Sequence, residues 1–475
     1  TFTSSKIEPA SGKPYYLRYA EILTEMAALY HFDGFFINQE SVPDSRSRQI
    51  IPLIKAIRTL NPNFLINFYQ DDNTPQATML MANGTQLASR YFVNYGWQGS
   101  VSSWVSLADA VGYPRSSLEF GINLESPGQF TGSGQKTSFE ETSKEGVSLA
   151  LYDYPKILSH AENVTLTEAY YRNRNYFFGN VTRNWPGVIN YSRNCITSVA
   201  MPFITDFSLG AGNLFFSDGT VILNKPWMNM ALQSTLPTEQ FVTTPSSQKY
   251  IEASFDFELG YNYGSSLAFR GISGHEDITF DLFQTRLTLQ SKQRYVLRVV
   301  HINRRSQAAL LCLEIDYGLE RICHDLQKNT YAWTTNEFML ANLSERTVTN
   351  ISLFFKQQTQ PEAVELSLGQ IYLGPPLKPA LQPSGLEMFL AKDSSQTPTT
   401  EHLFLRWNQD QNTGYRAYAR MGKNLQFLAE TKGTILNVSE WQTSEEFCLV
   451  GLNPGGESSE NTCIPSKRIH TPMGE

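Results

Sequence analysis

Residues 15–40 read YYLRYAEILTEMAALYHFDGFFINQE, and this stretch decides how the first part of the chain is built. Leu17, Ala20, Ile22, Leu23, Met26, Ala27, Leu29 and Tyr30 place apolar side chains at helical spacing, which predicts a helix over 15–30. It runs directly into Phe32-Asp33-Gly34-Phe35-Phe36-Ile37-Asn38, a short apolar run of the buried parallel-strand type. The pattern recurs. A helix over 47–60 precedes a strand over 64–69, and a helix over 79–88 precedes a strand over 91–95. A helical stretch over 104–110 precedes a strand over 118–124, and a helix over 138–145 precedes a strand over 147–152. Such a succession of βα units predicts a parallel sheet, open or closed into a barrel.

Polar and aromatic residues gather where these strands end. They are Asn38-Gln39-Glu40, Tyr69-Gln70-Asp71-Asp72, Asn94-Tyr95-Gly96-Trp97, Asn123-Leu124-Glu125 and Tyr152-Asp153-Tyr154. In parallel α/β folds the C-terminal ends of the strands form the active face, and core packing does not explain polar residues at every one of them.

From about residue 240 the hydrophobic period changes to two. Stretches 250–259, 266–269, 277–283, 294–300, 309–315, 351–355 and 364–373 read as strands of a β-sandwich of jelly-roll, galactose-binding-like type. Gly374-Pro375-Pro376-Leu377-Lys378-Pro379 is a stiff linker. Strands over 386–390, 403–407, 414–420, 425–430 and 446–452 follow, with a Trp at an early strand's end, a Tyr-rich central strand and a late Gly/Ser turn. These resemble a fibronectin type III module. The expected division is therefore α/β followed by all-β: 1–235, 236–375 and 380–475.

The chain has 475 residues, 41% hydrophobic and 17% charged, with a net charge of −7. Acidity without a basic run argues against nucleic acid or an anionic membrane as partner, since phosphates call for clustered Lys and Arg. No stretch reaches the ~18 apolar residues of a membrane span, and no apolar signal segment opens the chain. Cys195, Cys312, Cys323, Cys448 and Cys463 show no metal spacing. Cys312 with Cys323 and Cys448 with Cys463 lie near enough in sequence to bridge neighbouring strands in an oxidising compartment, but reduced, buried thiols are the expectation. The His residues are scattered, and neither a metal nor a cofactor is expected.

Asn38-Gln39-Glu40 is the sharpest chemical feature. Glycosidases ordinarily use two carboxyl groups. In the substrate-assisted variant the sugar's own 2-acetamido oxygen replaces the enzymic nucleophile, so one carboxyl and one group to hold the acetamide N–H suffice. Residues i and i+2 of a strand share a face, so Asn38 and Glu40 can enter one cleft.

The segment His31-Phe32-Asp33-Gly34-Phe35-Phe36-Ile37-Asn38-Gln39-Glu40 resembles the Phe-Asp-Gly-x-x-x-Asn-x-Glu signature of family 85 endo-β-N-acetylglucosaminidases of the cytosolic type. Further blocks resemble the family in the same order. Asn67-Phe68-Tyr69-Gln70-Asp71 stands for a Trp-Tyr-Asp-Ser strand end, and Phe92-Val93-Asn94-Tyr95-Gly96-Trp97 for Phe-x-Asn-Tyr-x-Trp. Stretches 201–210 and 264–271 resemble post-barrel blocks. The resemblance implies a (β/α)8 TIM-type barrel whose fourth strand ends in Asn-x-Glu, so the N-terminal strands, roughly a hundred residues, are expected to be missing. It implies that Asn38 orients the acetamide, that Glu40 is first acid and then base, and that Tyr69 contacts the reacting sugar. Tyr95 and Trp97, with Asn94, are expected to line the cleft. Asn123, Glu125 and Tyr152 are expected to contact the glycan or only to support the rim, and Asp33 is expected to brace a turn. No Trp lies between residues 69 and 97, where the family usually carries an aromatic platform.

The expected activity is cleavage of the GlcNAc-β-1,4-GlcNAc bond in the core of N-linked glycans, on glycoproteins or free oligosaccharides, with transglycosylation as a companion reaction. The alternative is a glycan-binding or scaffold protein on a truncated barrel. A chitinase-like hydrolase would need Asp-x-Asp-x-Glu, which Phe36-Ile37-Asn38-Gln39-Glu40 lacks. A monomer is expected, in the cytoplasm by preference, with secretion as the other option.

Overall fold

The computed structural model describes residues 5–40, 50–70, 81–82, 85–123, 133–152, 165–166, 170, 179, 186–191, 201–237, 242–244, 250–274, 276–305, 308–341, 343–393, 400–438 and 444–466. The chain divides into two compact units, Thr1–Asn194 and Cys195–Glu475.

In the first unit, helix α1 (Tyr15–Tyr30) has the predicted limits. It ends because His31 turns left-handed at φ 61, where its N–H and that of Phe32 both reach back to the Ala27 carbonyl. That turn delivers the chain into β1 (Gly34–Gln39). Gly34 is obligatory at the entry: a Cβ there would lie 1.8 Å from the Leu65 carbonyl oxygen of the neighbouring strand. Helix α2 (Ile51–Leu60) leads to β2 (Leu65–Gln70). The short strands β3 (Met81–Ala82) and β4 (Thr85–Gln86) pair antiparallel and lead to β5 (Arg90–Val93). Helix α3 (Val101–Val111), β6 (Leu118–Asn123), helix α4 (Ser133–Glu145) and β7 (Ser148–Tyr152) complete the described elements of this sheet layer.

The strands form one sheet in the order β1-β2-β5-β6-β7 with every pairing parallel. Alternation sorts the side chains. Ile66, Phe68, Tyr91, Val93, Leu118 and Phe120 join Ala20, Ala27, Ile54, Ile57, Trp104 and Ala108 of the helices in one core. Phe36, Asn38, Tyr69, Phe92, Gly121, Asn123 and Tyr152 belong to the opposite face, which the helices leave open.

Among the described residues of 79–88 the expected helix is not there. The described part of that stretch includes the antiparallel pair β3–β4, and the sequence between the two strands reads Asn83-Gly84. Asn-Gly is the strongest short hairpin signal, and it outweighs the helical spacing of Met79, Leu80, Met81 and Leu87.

The second unit is almost wholly antiparallel. One sheet runs Val242–Thr244, Ile278–Thr288, Thr347–Phe355, Ala309–Ile315, Glu320–Asp325. Another runs Ile251–Asp256, Ser266–Ser273, Glu362–Gly374, Tyr295–Asn303, Thr334–Leu340, and Phe203–Thr205 also pairs with Glu362–Gly374. The sheets meet through Phe269 of one, edge-on to Phe280 and tilted against Phe355 of the other. Two smaller sheets, of three and four strands, share a second core of Leu403, Leu405, Trp407, Tyr415, Ala417, Phe447 and Leu449.

The cysteines correct the expectation of free thiols. Cys312 is bonded to Cys323 and Cys448 to Cys463. In each pair the residues stand directly opposite one another on paired antiparallel strands, a register that spacing alone does not give. Each bridge clips the outermost strand of its sheet, Glu320–Asp325 or Thr462–Pro465, to its neighbour. Cys195 lies outside the described residues.

Candidate active site

The open face of the parallel sheet carries the candidate site. Asn38 and Glu40 both project from the end of β1, and Asn38 Nδ2 donates to Glu40 Oε1 at 3.2 Å. Both side chains are exposed. Asn38 is in register with Tyr69 of β2, which in turn is in register with Phe92 of β5.

Beside this pair lies a connected row of aromatic rings, in which Phe36 and Tyr152 are exposed and Tyr69 and Phe92 are buried. Phe36, two residues before Asn38 and on the same face, stacks on Tyr69 at 6.4 Å and is 48% exposed. Tyr69 meets Phe92 edge-on at 5.6 Å, Phe92 meets Tyr95 at 5.8 Å, and Tyr95 meets Tyr152 at 5.9 Å. Tyr152 is 46% exposed, so the row ends in solvent. Asn94 Oδ1 accepts the Tyr95 backbone N–H at 2.7 Å, which fixes the turn after β5. Asn123, half-buried at the end of β6, is in register with Tyr152.

The structure thus places Asn38, Glu40, Tyr69, Asn94, Tyr95, Asn123 and Tyr152 at the strand ends of one sheet. Trp97 is a correction. It is 2% exposed, packs edge-on against Phe120 and donates its indole N–H to the Gly121 carbonyl at 2.7 Å. It serves the core beneath the turn and does not line the cleft. Glu125, Asp71, Asp72, Asp153 and Tyr154 lie outside the described residues. Asp33 stands just before β1, where its carbonyl accepts the Leu65 N–H at 3.0 Å. Phe36 and Phe92 belong to the site and were not singled out from the sequence. The period-two rule applied backwards from Asn38 reaches Phe36.

Chemically, the arrangement offers one carboxyl beside one primary amide, on a platform of aromatic faces. A pyranose ring has apolar C–H faces that lie against such rings, and polar edges that seek groups like Asn38, Asn94 and Asn123. Among the described residues one grouping of metal-ligand type occurs, in the second unit: Glu446 with Cys448 and Cys463, whose ligand atoms lie within 4.8 Å. The two sulfurs are bonded to each other, so they offer no thiolate.

Comparisons with known proteins point the same way. Residues 8–215 match the sequence profile of glycosyl hydrolase family 85. Cytosolic endo-beta-N-acetylglucosaminidase 1 of Arabidopsis thaliana is 26% identical over 310 residues, which cover 62% of this chain and 44% of the relative. Cytosolic endo-beta-N-acetylglucosaminidase 2 of the same plant is 26% identical over 314 residues, covering 58% and 42%. The chain therefore spans less than half the length of the curated relatives it matches. Among solved structures, the glycoside hydrolase domain of Endo-D from Streptococcus pneumoniae R6 superposes with a TM-score of 0.73 at 20% identity, covering 97% of this chain and 78% of that one. The shared fold thus extends through both units.

Proposed function

We propose that the chain is a glycosidase of family 85, whose profile residues 8–215 match, and that it hydrolyses the GlcNAc-β-1,4-GlcNAc bond in the N,N′-diacetylchitobiose core of N-linked glycans by substrate-assisted catalysis. The observation that carries this reading is the hydrogen bond from Asn38 to Glu40 on one face of β1. With Nδ2 engaged by Glu40 Oε1, Asn38 Oδ1 is the atom available to accept the acetamide N–H of the reacting sugar. That contact turns the acetamide carbonyl oxygen toward C1.

In the first step the carbonyl oxygen attacks C1 while protonated Glu40 gives its proton to the departing glycosidic oxygen, leaving an oxazolinium ion. In the second, Glu40 takes a proton from water as the water's oxygen attacks C1 and the ring reopens. Two inversions give retention at C1. A sugar hydroxyl in place of water gives transglycosylation. Tyr69, next to Asn38 in the sheet, contacts the reacting sugar, and Tyr95 and Tyr152 with Asn94 and Asn123 extend the surface along the glycan. No cofactor enters this chemistry.

The parallel sheet is read as part of a (β/α)8 barrel. The paired antiparallel sheets are read as a jelly-roll sandwich up to about 375 and a fibronectin-like module over 380–475, and the barrel part is read as ending before the expected residue 235, since Phe203–Thr205 already pairs with Glu362–Gly374. The protein is read as a monomer. The relatives' names favour the cytoplasm. The two disulfides are the feature of this chain that favours an oxidising compartment instead.

A glycan-binding protein without turnover is the second reading. It is favoured by the position of β1, which carries Asn38 at the edge of the sheet among the described residues. Mass spectrometry of a glycopeptide bearing an Asn-linked high-mannose glycan, after incubation with the purified chain, separates the two. The expected product is the peptide with one N-acetylglucosamine left on Asn. Intact glycopeptide bound to the protein would support the second reading, and a peptide with Asp in place of the glycosylated Asn would contradict both.

A further inference from the structure

We propose that Gly121 and Phe92 form a seat that sets the position of Asn94, Tyr95 and Tyr69, which makes both of them positioning residues for glycan binding; the proposal rests on the glycosidase reading of the same face. Gly121 is in the middle of β6, where a Cβ would lie 2.4 Å from both Cε1 and Cζ of Phe92 and 3.0 Å from the Val93 carbonyl oxygen. The Phe92 ring therefore occupies the place in which any other residue at 121 would put its side chain.

From that seat Phe92 meets Phe36 at 5.8 Å, Tyr69 at 5.6 Å and Tyr95 at 5.8 Å, with interplanar angles of 86°, 72° and 84°. Edge-on contact is the favoured geometry for aromatic pairs, so moving this ring moves or unseats its neighbours. The ring is 4% exposed, so it supports the surface from below and does not offer itself to a sugar.

The second hold is independent of the first. The Gly121 carbonyl accepts the Trp97 indole N–H at 2.7 Å. One residue of β6 thus fixes the segment 92–97 at both ends, by a ring above its Cα and by a hydrogen bond at its carbonyl. Asn94 and Tyr95 lie between those points, in a turn where Gly96 takes φ 81. Tyr95 then passes the constraint on to Tyr152.

Asn38 stands on β1 and Glu40 directly after it, two strands over in the sheet from β5, where the segment that Gly121 holds begins. Gly121→Ala is therefore expected to act on binding more than on the chemical step. KM for the glycopeptide should rise about tenfold while kcat stays within about threefold, the pattern of lost uniform binding. A leucine at 92 ends short of the two ring atoms that would meet the new methyl. Phe92→Leu in the Gly121→Ala background should then bring KM back to within about threefold of that for Phe92→Leu alone.

A folded Gly121→Ala protein with unchanged KM would overturn the proposal, and so would a double variant no better than Gly121→Ala. If Gly121→Ala does not fold, Phe92→Leu alone carries the test: raised KM supports the seat and unchanged KM overturns it. Calorimetric titration of the same variants with the free high-mannose chitobiose-core glycan reads the same comparison as affinity. A wild type that binds this glycan without cleaving it would therefore sink the catalytic reading and still decide on the seat. A wild type that neither binds nor cleaves it would overturn both.

Discussion

Glu40→Gln is expected to lower kcat on an N-glycosylated peptide by about 10²- to 10⁴-fold, the usual worth of a positioned general acid–base. The change is nearly isosteric, but the amide has no proton to give and cannot take one from water, so both steps suffer. KM should change little, because Tyr69, Tyr95 and Tyr152, the aromatics proposed to contact the sugar, are untouched. The loss should also depend on the leaving group. A substrate carrying an activated aryl leaving group needs little protonation, and its first step should survive much better than that of the natural core. Initial-rate kinetics on the two substrates check this. A uniform loss on both would mean that Glu40 acts only in the second step or only through the fold, and a variant as fast as wild type would remove it from the mechanism.

The second large effect concerns stability. Arg416 is fully buried, with its side chain 0% exposed, and its Nε donates to Glu430 Oε2 at 2.7 Å. Glu430 Oε1 accepts the Tyr263 hydroxyl at 2.9 Å, and Arg416 also donates to Ser217. Burial works against the Arg416 charge, yet the Glu430 carboxylate together with the neighbouring Tyr263 and Tyr418 outweighs it, so the guanidinium proton is held more firmly than usual. Beside this lies Asp206, which accepts from Asn262 at 2.9 Å and from Gln370 at 2.8 Å. Burial raises its pKa to about 6. These groups connect strands of the central sheets with the final β sheet within the second unit.

Replacing Glu430 by Leu strands a buried guanidinium, which is expected to cost about 3–5 kcal/mol. The double replacement Arg416→Met with Glu430→Leu removes the charge along with its partner and should be far milder, neutral to slightly stabilising. Urea unfolding followed by tryptophan fluorescence checks both variants. A single variant within about 1 kcal/mol of wild type would mean that the pair adds little to the fold.

Much of the parallel layer is readable because local signals agree. Helix α1 combines apolar spacing with a left-handed stop at His31, and β1 follows as an apolar run opened by a glycine that its neighbour's backbone requires. The pair Asn38 and Glu40 is readable because a strand's period of two needs no knowledge of the tertiary fold. The β3–β4 hairpin was hidden because Met79 to Ala88 carries enough apolar residues to imitate a helix, while the decisive Asn83-Gly84 is only two residues long.

Trp97 shows a different limit. An aromatic residue at a strand end looks the same in sequence whether it faces a sugar or the core. What separates the two is the Gly121 carbonyl, which comes from a strand far along the chain. The disulfides were open for the same reason, since spacing put the cysteines near each other but only the strand register put them opposite. Phe92 escaped notice because nothing in its own segment reveals the vacant Cβ position at Gly121 that makes room for it.

The proposal stands or falls on the substrate's own acetamide acting as nucleophile beside Asn38. The direct test is a series of chitobiose-core substrates whose reacting sugar carries acetyl, monofluoroacetyl, difluoroacetyl or trifluoroacetyl on the 2-amino group. Fluorine withdraws electrons from the carbonyl oxygen and barely changes its size. If that oxygen attacks C1, kcat should fall stepwise by roughly tenfold or more per fluorine, about 1.4 kcal/mol of barrier each. A series that stays flat while the unmodified substrate is cleaved would show that a group of the protein is the nucleophile, and would contradict the role assigned to Asn38.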